Sequence, residues 1–258
     1  MFTAFFKKEF FEYLKVFTWR EIKIKYAQTF VGIFWMFFPP LMGIIVSYFF
    51  LDKLLRAGKE IPNYTLFAYC GMMGWYYFSY LVSYTSISLL QNVDLISKTT
   101  IPRIIIPLAK SITGLIDTLI WVIFAIILKF IFLKNFNISL ILIIFPLLLN
   151  FISGFSIGLW LSIFSIKWRD IYQLLPYIIG LGMLGTPVVY HANMIPENIK
   201  FIYYFNPIAA VIEMYRKYIL NIHIDLIKFT PAIIIAIILF LTGIYSFLKQ
   251  ETKLSEKL

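Results

Sequence analysis

Six apolar stretches, each long enough to cross a bilayer as a helix, dominate this 258-residue sequence. A membrane-spanning helix needs about 20 mostly apolar residues. Because lipid offers no partner for an unpaired backbone group, such stretches must fold as helices. Hydrophobic residues make up 61% of the chain and charged residues only 14%, which excludes an ordinary soluble domain. The sequence therefore predicts an all-α, polytopic integral membrane protein with six transmembrane helices in a single domain.

The predicted spans are separated by short polar segments. They cover approximately residues 32–51, 64–90, 107–133, 138–166, 171–190 and 229–248. An even number of spans places both termini on the same side of the membrane. Most Lys and Arg residues lie in residues 1–30, in the segments 92–110 and 167–170, and in the tail 249–258. The positive-inside rule then predicts that both termini are cytoplasmic.

An amphipathic helix is predicted before the first span. In residues 2–17, aromatic and aliphatic side chains recur at helical spacing beside lysines and glutamates. This pattern is typical of a helix that lies in the membrane interface, although a cytosolic helix packed on a partner would share it. We expect residues 1–30 to contain a cytoplasmic interface helix.

Residues 187–222 are too apolar for an ordinary loop and too often interrupted by proline for a span. Proline discourages a helix from continuing through it, and irregular backbone at membrane depth requires cover by protein or a watery cavity. We expect a re-entrant helical hairpin that enters from the outer face, with Asn206 capping a second helix that begins at Pro207. Glu213 and Arg216 can pair across one turn of that helix. The residues predicted to form this gate are Pro187, Tyr190, Pro196, Asn206, Pro207, Glu213 and Arg216.

The second predicted span carries a stripe of mostly tyrosine side chains on one face. These residues are Tyr69, Met73, Tyr76, Tyr80 and Tyr84. Tyrosine rings offer apolar faces to sugar C–H groups, and their hydroxyls can exchange hydrogen bonds with a passing glycan. The stripe is therefore predicted either to line a substrate pathway or to pack against neighbouring helices.

Asp117 lies inside the third predicted span. A carboxylate within the membrane is costly and usually faces protein or water. Asp117 is predicted either to belong to the substrate pathway or to act as a structural tie to another polar group.

Small residues recur at four-residue intervals along the fourth predicted span, at Asn150, Gly154, Gly158 and Ser162. Such spacing lets two helices approach closely. Packing within one chain is the simpler interpretation, and a dimer interface is the alternative.

Several kinds of site are excluded by composition. The single cysteine, Cys70, permits neither an internal disulfide nor a cysteine-based metal cluster. The net charge of +10 comes from residues scattered between apolar runs, so lipid headgroups and topology explain it better than nucleic acid. The chain contains no Walker A sequence for ATP.

A series of short motifs extends along most of the chain. They comprise Arg20, Glu21, Lys23, Lys25 and Tyr26, then Gly32, Trp35 and Pro39, residues 101–103 with Pro107, residues 168–171, residues 186–190, Ile195 with Pro196, Asn206 with Pro207, and Tyr215 with Arg216. This series resembles the permeases of type-2 ABC exporters, most closely the O-antigen (Wzm-type) and teichoic-acid permeases. One difference is Thr100 with Ile101 before Pro102, where many relatives have an aromatic residue.

The resemblance implies a homodimer in the bacterial inner membrane with two ABC nucleotide-binding subunits. Those subunits would hold ATP and Mg²⁺, so this chain would need no cofactor and would not be an enzyme. The implied substrate is lipid-linked O-antigen polysaccharide, of the undecaprenyl-diphosphate type, exported to the outer face. Alternatives are a teichoic-acid or capsular polysaccharide permease, a drug-type ABC permease, or a membrane-embedded glycan-modifying transferase.

The resemblance also implies that residues 92–106 form a cytoplasmic coupling loop. A short helix in this loop would dock on the ATPase subunit and transmit its motion to the spans. The residues expected to act in coupling are Asp94, Ile96, Lys98, Pro102 and Arg103. Without the resemblance, the same residues would be interpreted as a solvated loop.

Overall fold

A computed structural model describes residues 8–27, 32–56, 61–99, 101–134, 138–168 and 170–254. Within these ranges the regular structure is helical and contains no strand, which confirms the all-α prediction. Residues 2–7 of the predicted interface helix, the turn at 135–137 and the end of the tail at 255–258 lie outside the described residues.

Ten α-helices are present in the described ranges. They are α1 (Lys8–Tyr26), α2 (Phe38–Ile45), α3 (Tyr64–Ser86), α4 (Val93–Lys98), α5 (Ile105–Leu133), α6 (Ile144–Lys167), α7 (Asp170–Gly185), α8 (Lys200–Phe205), α9 (Pro207–Leu220) and α10 (Thr230–Leu254). A 3₁₀ segment (Gly32–Met36) precedes α2, and a π-helical segment (Val46–Leu54) continues it. Shorter 3₁₀ segments comprise Leu90–Asn92, Ile138–Ile143, Ala192–Met194 and Leu226–Phe229.

Four helical segments are long and apolar enough to cross a membrane, namely Gly32–Leu54, Ile105–Leu133, Ser139–Ser165 and Leu226–Gln250. They coincide with the first, third, fourth and sixth predicted spans. The other two predicted spans are helical over most of their length, but α3 ends at Ser86 instead of residue 90 and α7 ends at Gly185 instead of residue 190. Most of α3 is buried by the rest of the chain, and α7 has 16 residues, fewer than the roughly 20 of a straight span.

The central helix is α3, which packs against α5, α6 and α9. On α6, Gly154 and Gly158 allow close approach, because a Cβ atom at either position would lie within 3 Å of Leu81 or Thr85 on α3. The Asn150 side chain donates a hydrogen bond of 2.8 Å to the backbone carbonyl of Gly74. The small-residue pattern on α6 therefore serves packing within one chain, as the simpler interpretation predicted.

The first helix, α1, packs lengthwise along the first half of α5. Phe10 belongs to a buried cluster that includes Ile104 and Ile105, and Glu21 forms an ion pair of 2.9 Å with Lys110. Part of the apolar surface of α1 is thus used by the chain's own core. Phe11, Val16 and Trp19 remain exposed, at 60%, 63% and 59% of their surface.

The chain turns sharply between α8 and α9, where a hairpin is predicted. The Asn206 side chain accepts a hydrogen bond of 2.9 Å from the backbone N–H of Ile208, and Pro207 occupies the first turn of α9. Proline is suited to this position, where its missing N–H is not needed. The predicted break, cap and helix start are confirmed.

Candidate transport site

The Asp117 carboxylate is the centre of a polar cluster between α1, α3 and α5. Only 2% of Asp117 is exposed. Its oxygens accept hydrogen bonds from the Lys25 ammonium and the Tyr26 hydroxyl at the end of α1, and from the Tyr76 hydroxyl at 3.3 Å. The Lys25 ammonium also lies 4.3 Å from the centre of the Tyr80 ring. A buried carboxylate is tolerated here because it has both a counter-charge and hydrogen-bond donors.

Local sequence allows this cluster to form. Gly114 lies one turn before Asp117 on α5, and a Cβ atom there would lie 2.2 Å from the Tyr80 ring. The glycine therefore lets the ring lie directly on α5. Burial lowers the pKa of the Lys25 amine, while the Asp117 carboxylate opposes this change.

A cavity of about 320 Å³ adjoins the Asp117 cluster. Its walls combine the cluster with the beginning of the first span through Trp35 and Pro39. The lining therefore includes aromatic rings, an ammonium and a carboxylate, which together can contact both the apolar faces and the hydroxyls of a polar substrate.

The structure divides the predicted stripe on α3 into a buried part and a more accessible part. Tyr69 and Met73 have no exposed surface and Tyr80 has 7%. Tyr76 is half-buried, and 42% of Tyr84 is exposed. The stripe and Asp117, predicted separately, meet at Tyr76.

Trp121 on α5 packs against two tyrosines of the stripe, one buried and one half-buried. The Tyr69 and Tyr76 rings both lie with their centres 5.1 Å from that of Trp121, and the Tyr69 hydroxyl donates to the Trp121 carbonyl at 3.3 Å. Within a single chain, Tyr69 and Met73 therefore serve helix packing, whereas Tyr76 and Tyr84 keep solvent-accessible surface that other molecules can contact.

A second buried cluster surrounds Arg216 on α9. Arg216 has no exposed surface. Its Nη1 donates to Glu213 at 2.8 Å and its Nη2 donates to the Val188 carbonyl, also at 2.8 Å. The guanidinium lies over the Phe67 ring of α3. The predicted pair of Glu213 and Arg216 is therefore present, and it joins three parts of the chain.

The segment after α7 is held closely against α3. A Cβ atom at Gly71 would lie 1.9 Å from the Val188 carbonyl oxygen, so only glycine fits there without displacement. The Tyr64 hydroxyl donates to the Val189 carbonyl at 2.6 Å. The Asn206 amide donates to the Thr186 hydroxyl at 3.2 Å, which ties the hairpin turn to the same segment.

The other predicted gate residues lie at different depths around this cluster. Pro187 is buried, whereas Pro196 is exposed. Tyr190 is half-buried, and its hydroxyl donates to the Leu184 carbonyl at 3.2 Å. The structure thus brings Asn206, Glu213 and Arg216 together with the backbone near Pro187 and leaves Pro196 at the periphery.

Asp94, Ile96 and Lys98 of the predicted coupling residues lie on α4, and Pro102 and Arg103 follow it. Asp94 and Lys98 are exposed, and Pro102 and Arg103 are half-buried. Ile96 is only 5% exposed, within the cluster that contains Phe10 and Ile104. Ile96 therefore anchors α4 to its own chain, and the exposed residues on either side remain available to a partner.

Several residues with buried polar contacts are not among the predicted site residues, including Lys25 and Tyr26 beside Asp117 and Lys129 elsewhere on α5. Lys25 and Tyr26 belong to the first motif of the sequence, but their partner Asp117 is 92 and 91 positions away, so no local pattern reveals the contact. Lys129 is 1% exposed and donates to the Tyr218 carbonyl at 3.4 Å. A lysine inside an apolar run is itself a signal of a buried polar contact, and this one could have been found.

Within the described residues, no three His, Cys, Asp or Glu side chains are grouped so that they could hold a metal ion. The clusters therefore offer hydrogen bonds, charge and aromatic surface. These contacts can bind and guide a substrate or hold helices in position.

The amino-acid sequence is similar to those of several known proteins. Two proteins of Klebsiella pneumoniae, both named O-antigen export system permease protein RfbA, are 28% and 27% identical to this chain over 249 and 253 residues, covering 95% of each sequence. A protein of the same name from Myxococcus xanthus is 22% identical over 201 residues, or 76% of each chain. The ABC-2 type transporter family matches residues 12–220, which include the Asp117 and Arg216 clusters. The chain belongs to the ABC-2 type transporter family.

Proposed function

We propose that this chain is the transmembrane subunit of an ATP-driven exporter that carries lipid-linked O-antigen polysaccharide across the bacterial inner membrane. The observation that carries this proposal is the similarity to two O-antigen export permeases over 95% of both sequences. Membership of the transporter family and four apolar helices of span length support the same class of function.

In the proposed membrane arrangement, α3 and α7 complete six spans, and both termini are cytoplasmic. The α8–α9 hairpin enters from the outer face without crossing. Phe201, Ile202 and Phe205 on α8 support this arrangement, because at least half of each side chain is exposed in a helix too short to span. Apolar side chains clustered at a surface require cover by lipid or protein. Phe11, Val16 and Trp19 on α1 are also exposed apolar side chains, and the membrane interface would cover them in the proposed arrangement.

The proposed assembly contains two copies of this chain and two ATPase subunits, which hold ATP and Mg²⁺. The α4 segment is the proposed contact with the ATPase. Ile96 fixes α4 to the chain's core, while Asp94 and Lys98 on the same short helix are exposed. An anchored helix with a polar outer surface can transmit a displacement, whereas a freely moving loop would absorb it.

The proposed substrate pathway passes the Asp117 cluster and its cavity. Tyr76 contributes a ring and a hydroxyl to this region, and Tyr84 extends the aromatic surface towards the end of α3. Sugar rings of different kinds can stack on an aromatic face. Such unspecific contacts suit a polysaccharide that must slide through the transporter.

Deletion of the gene in its native bacterium tests the proposed function. We expect O-polysaccharide to disappear from the cell surface and lipid-linked polymer to accumulate inside, and we expect a plasmid copy to reverse both changes. Surface antigen is measured with antibody, and lipid-linked polymer by extraction. Normal surface antigen in the deletion strain would contradict the proposal. Loss of a different surface glycan would favour a teichoic-acid or capsular exporter.

A further inference from the structure

A larger cavity, about 480 Å³ in volume, lies beside the beginning of α3, whereas α4 follows the end of that helix in the chain. It is enclosed by the beginning of α3, by α8 and α9, and by the segment leading into α10. Its volume falls within the ~300–1,000 Å³ typical of ligand pockets. The cavity is distinct from the one beside Asp117, because the two have no lining residue in common.

Aromatic rings form two walls of this cavity. On one wall, the centre of the Phe229 ring lies 5.1 Å from that of Tyr203 and 5.3 Å from that of Tyr204. On another wall, Phe67 and His191 stack with centres 5.8 Å apart and planes 11° apart. Phe67 and Phe229 are only 1% and 2% exposed, so the half-buried rings of Tyr204 and His191 provide the accessible aromatic surface of the cavity.

The polar groups of the cavity carry charges of both signs. Glu213 contributes a carboxylate that is 6% exposed. Asp225 and Lys228 are exposed residues of the same lining. Glu213 is already paired with Arg216, so the two exposed charges of this lining, on Asp225 and Lys228, are opposite and balance each other. Acceptors and donors beside aromatic faces therefore suit a neutral ligand that has many hydroxyls and apolar C–H faces.

We infer that this cavity is a sugar-binding subsite that holds a short segment of the exported glycan. The inference rests on the proposed function and deepens it, since it assigns a glycan contact outside the predicted pathway residues. Phe67 and Glu213 line the cavity and also hold Arg216. A sugar segment bound here therefore touches α3, α8 and α9 at once and stabilises the position of the hairpin.

Glycan binding to the intact transporter tests the inference. The permease is purified with its ATPase subunit in lipid nanodiscs, and the probe is water-soluble O-polysaccharide fragments from the native bacterium, released from lipid by mild acid. We expect the fragments to bind to the parent protein. Tyr204→Leu keeps an apolar side chain but removes the flat ring, and should weaken binding by about tenfold. Lys228→Gln removes an exposed ammonium charge and should weaken binding of the fragments less than Tyr204→Leu does.

Phe201→Leu is the matched control, because it makes an aromatic-to-leucine change one turn away on α8, outside the cavity lining. It should bind fragments as the parent does. Equal affinity of the Tyr204→Leu and Phe201→Leu proteins would overturn the inference, as would failure of the parent to bind the fragments. Export in the deletion strain is measured separately, so failure of the proposed function would be recognised without reference to binding.

Discussion

The guanidinium carbon of Arg216 lies 3.5 Å from the centre of the Phe67 ring. This contact joins α9 to α3, and neither side chain has more than 1% of its surface exposed. A desolvated cation over an aromatic face is stabilised by the ring's quadrupole, by about 2 kcal/mol in favourable cases. The same guanidinium is bonded to Glu213 and to the Val188 carbonyl, so one residue fixes the hairpin against two other parts of the fold.

Arg216→Ala should destabilise the protein strongly. Removing one partner of a buried ion pair leaves the other charge uncompensated, at a cost of about 3–5 kcal/mol. The Val188 carbonyl would lose its donor as well. Thermal unfolding of the purified permease in detergent measures the effect, and the melting temperature should fall by many degrees.

Two further variants separate the buried pair from a general effect of lost charge. Lys200→Ala removes a cation from α8 whose partner, Glu197, has 83% of its side chain exposed, so it should change the melting temperature little. The double change Glu213→Gln with Arg216→Met removes both charges and should unfold at a higher temperature than Arg216→Ala. If Arg216→Ala were as stable as Lys200→Ala, the cluster would not hold the hairpin.

Gly71→Ala should disturb the same region through backbone contact alone. The added methyl group would lie 1.9 Å from the Val188 carbonyl oxygen, and overpacking of this kind costs about 1–3 kcal/mol or more. Gly180→Ala on α7 is the control, since nothing lies within 4 Å of the added atom and alanine favours a helix. We expect lower thermal stability and lower export only for Gly71→Ala. Equal behaviour of the two proteins would show that the segment at Val188 moves away freely.

Local features of the hairpin could be predicted because their causes are local. Asn206 followed by Pro207 predicts a capped helix start, and Glu213 lies one turn before Arg216. The other partners of Arg216 are distant in sequence, because Phe67 and Val188 come from other parts of the chain. Periodicity indicates which residues share a helix face, but it does not indicate which helix packs there.

The tyrosine stripe shows the same limit. Its spacing correctly predicts a shared face on α3, yet burial along that face is uneven. Trp121 covers Tyr69, and the missing side chain of Gly114 allows the Tyr80 ring to pack closely against α5. Tyr84 remains exposed. The small-residue spacing on α6 was more informative, because a lack of side-chain volume directly implies close helix approach.

The α4 segment should respond differently to changes of its buried and its exposed residues. Ile96→Ala leaves a cavity in the cluster with Phe10 and Ile104 and should cost about 2–5 kcal/mol. The double change Asp94→Ala with Lys98→Ala affects exposed side chains, so it should leave thermal stability unchanged but reduce glycan-stimulated ATP hydrolysis by the partner subunit. Unaltered hydrolysis and export in the double variant would show that this surface does not contact the ATPase.

The proposed topology predicts opposite accessibility for α4 and for the segment before α8. The native Cys70 is buried, so the parent should not react with a membrane-impermeant thiol reagent. Cysteine introduced at Asn198 should react when the reagent is added outside the inner membrane. Cysteine introduced at Lys98 should react only after the membrane is opened. Labelling of the Asn198 position from the inside alone would contradict both the orientation and the re-entrant hairpin.

The accessible part of the stripe should matter for export, and the buried part for stability. Leucine retains apolar volume but lacks the flat ring face and the hydroxyl. Tyr84→Leu changes a side chain that is 42% exposed, so it should reduce export of long polymers without lowering the melting temperature. Tyr76→Leu should reduce export further, because it also removes a hydrogen bond to Asp117.

Tyr69→Leu is the matched control, because Tyr69 is fully buried beside Trp121. It should lower the melting temperature through lost packing and through loss of its bond to the Trp121 carbonyl. Protein that remains folded should export normally per molecule. Measuring export per folded transporter together with melting temperature for all three variants distinguishes the two roles. Normal export by the Tyr76→Leu and Tyr84→Leu proteins would assign the whole stripe to helix packing, because the substrate would then pass without using its rings.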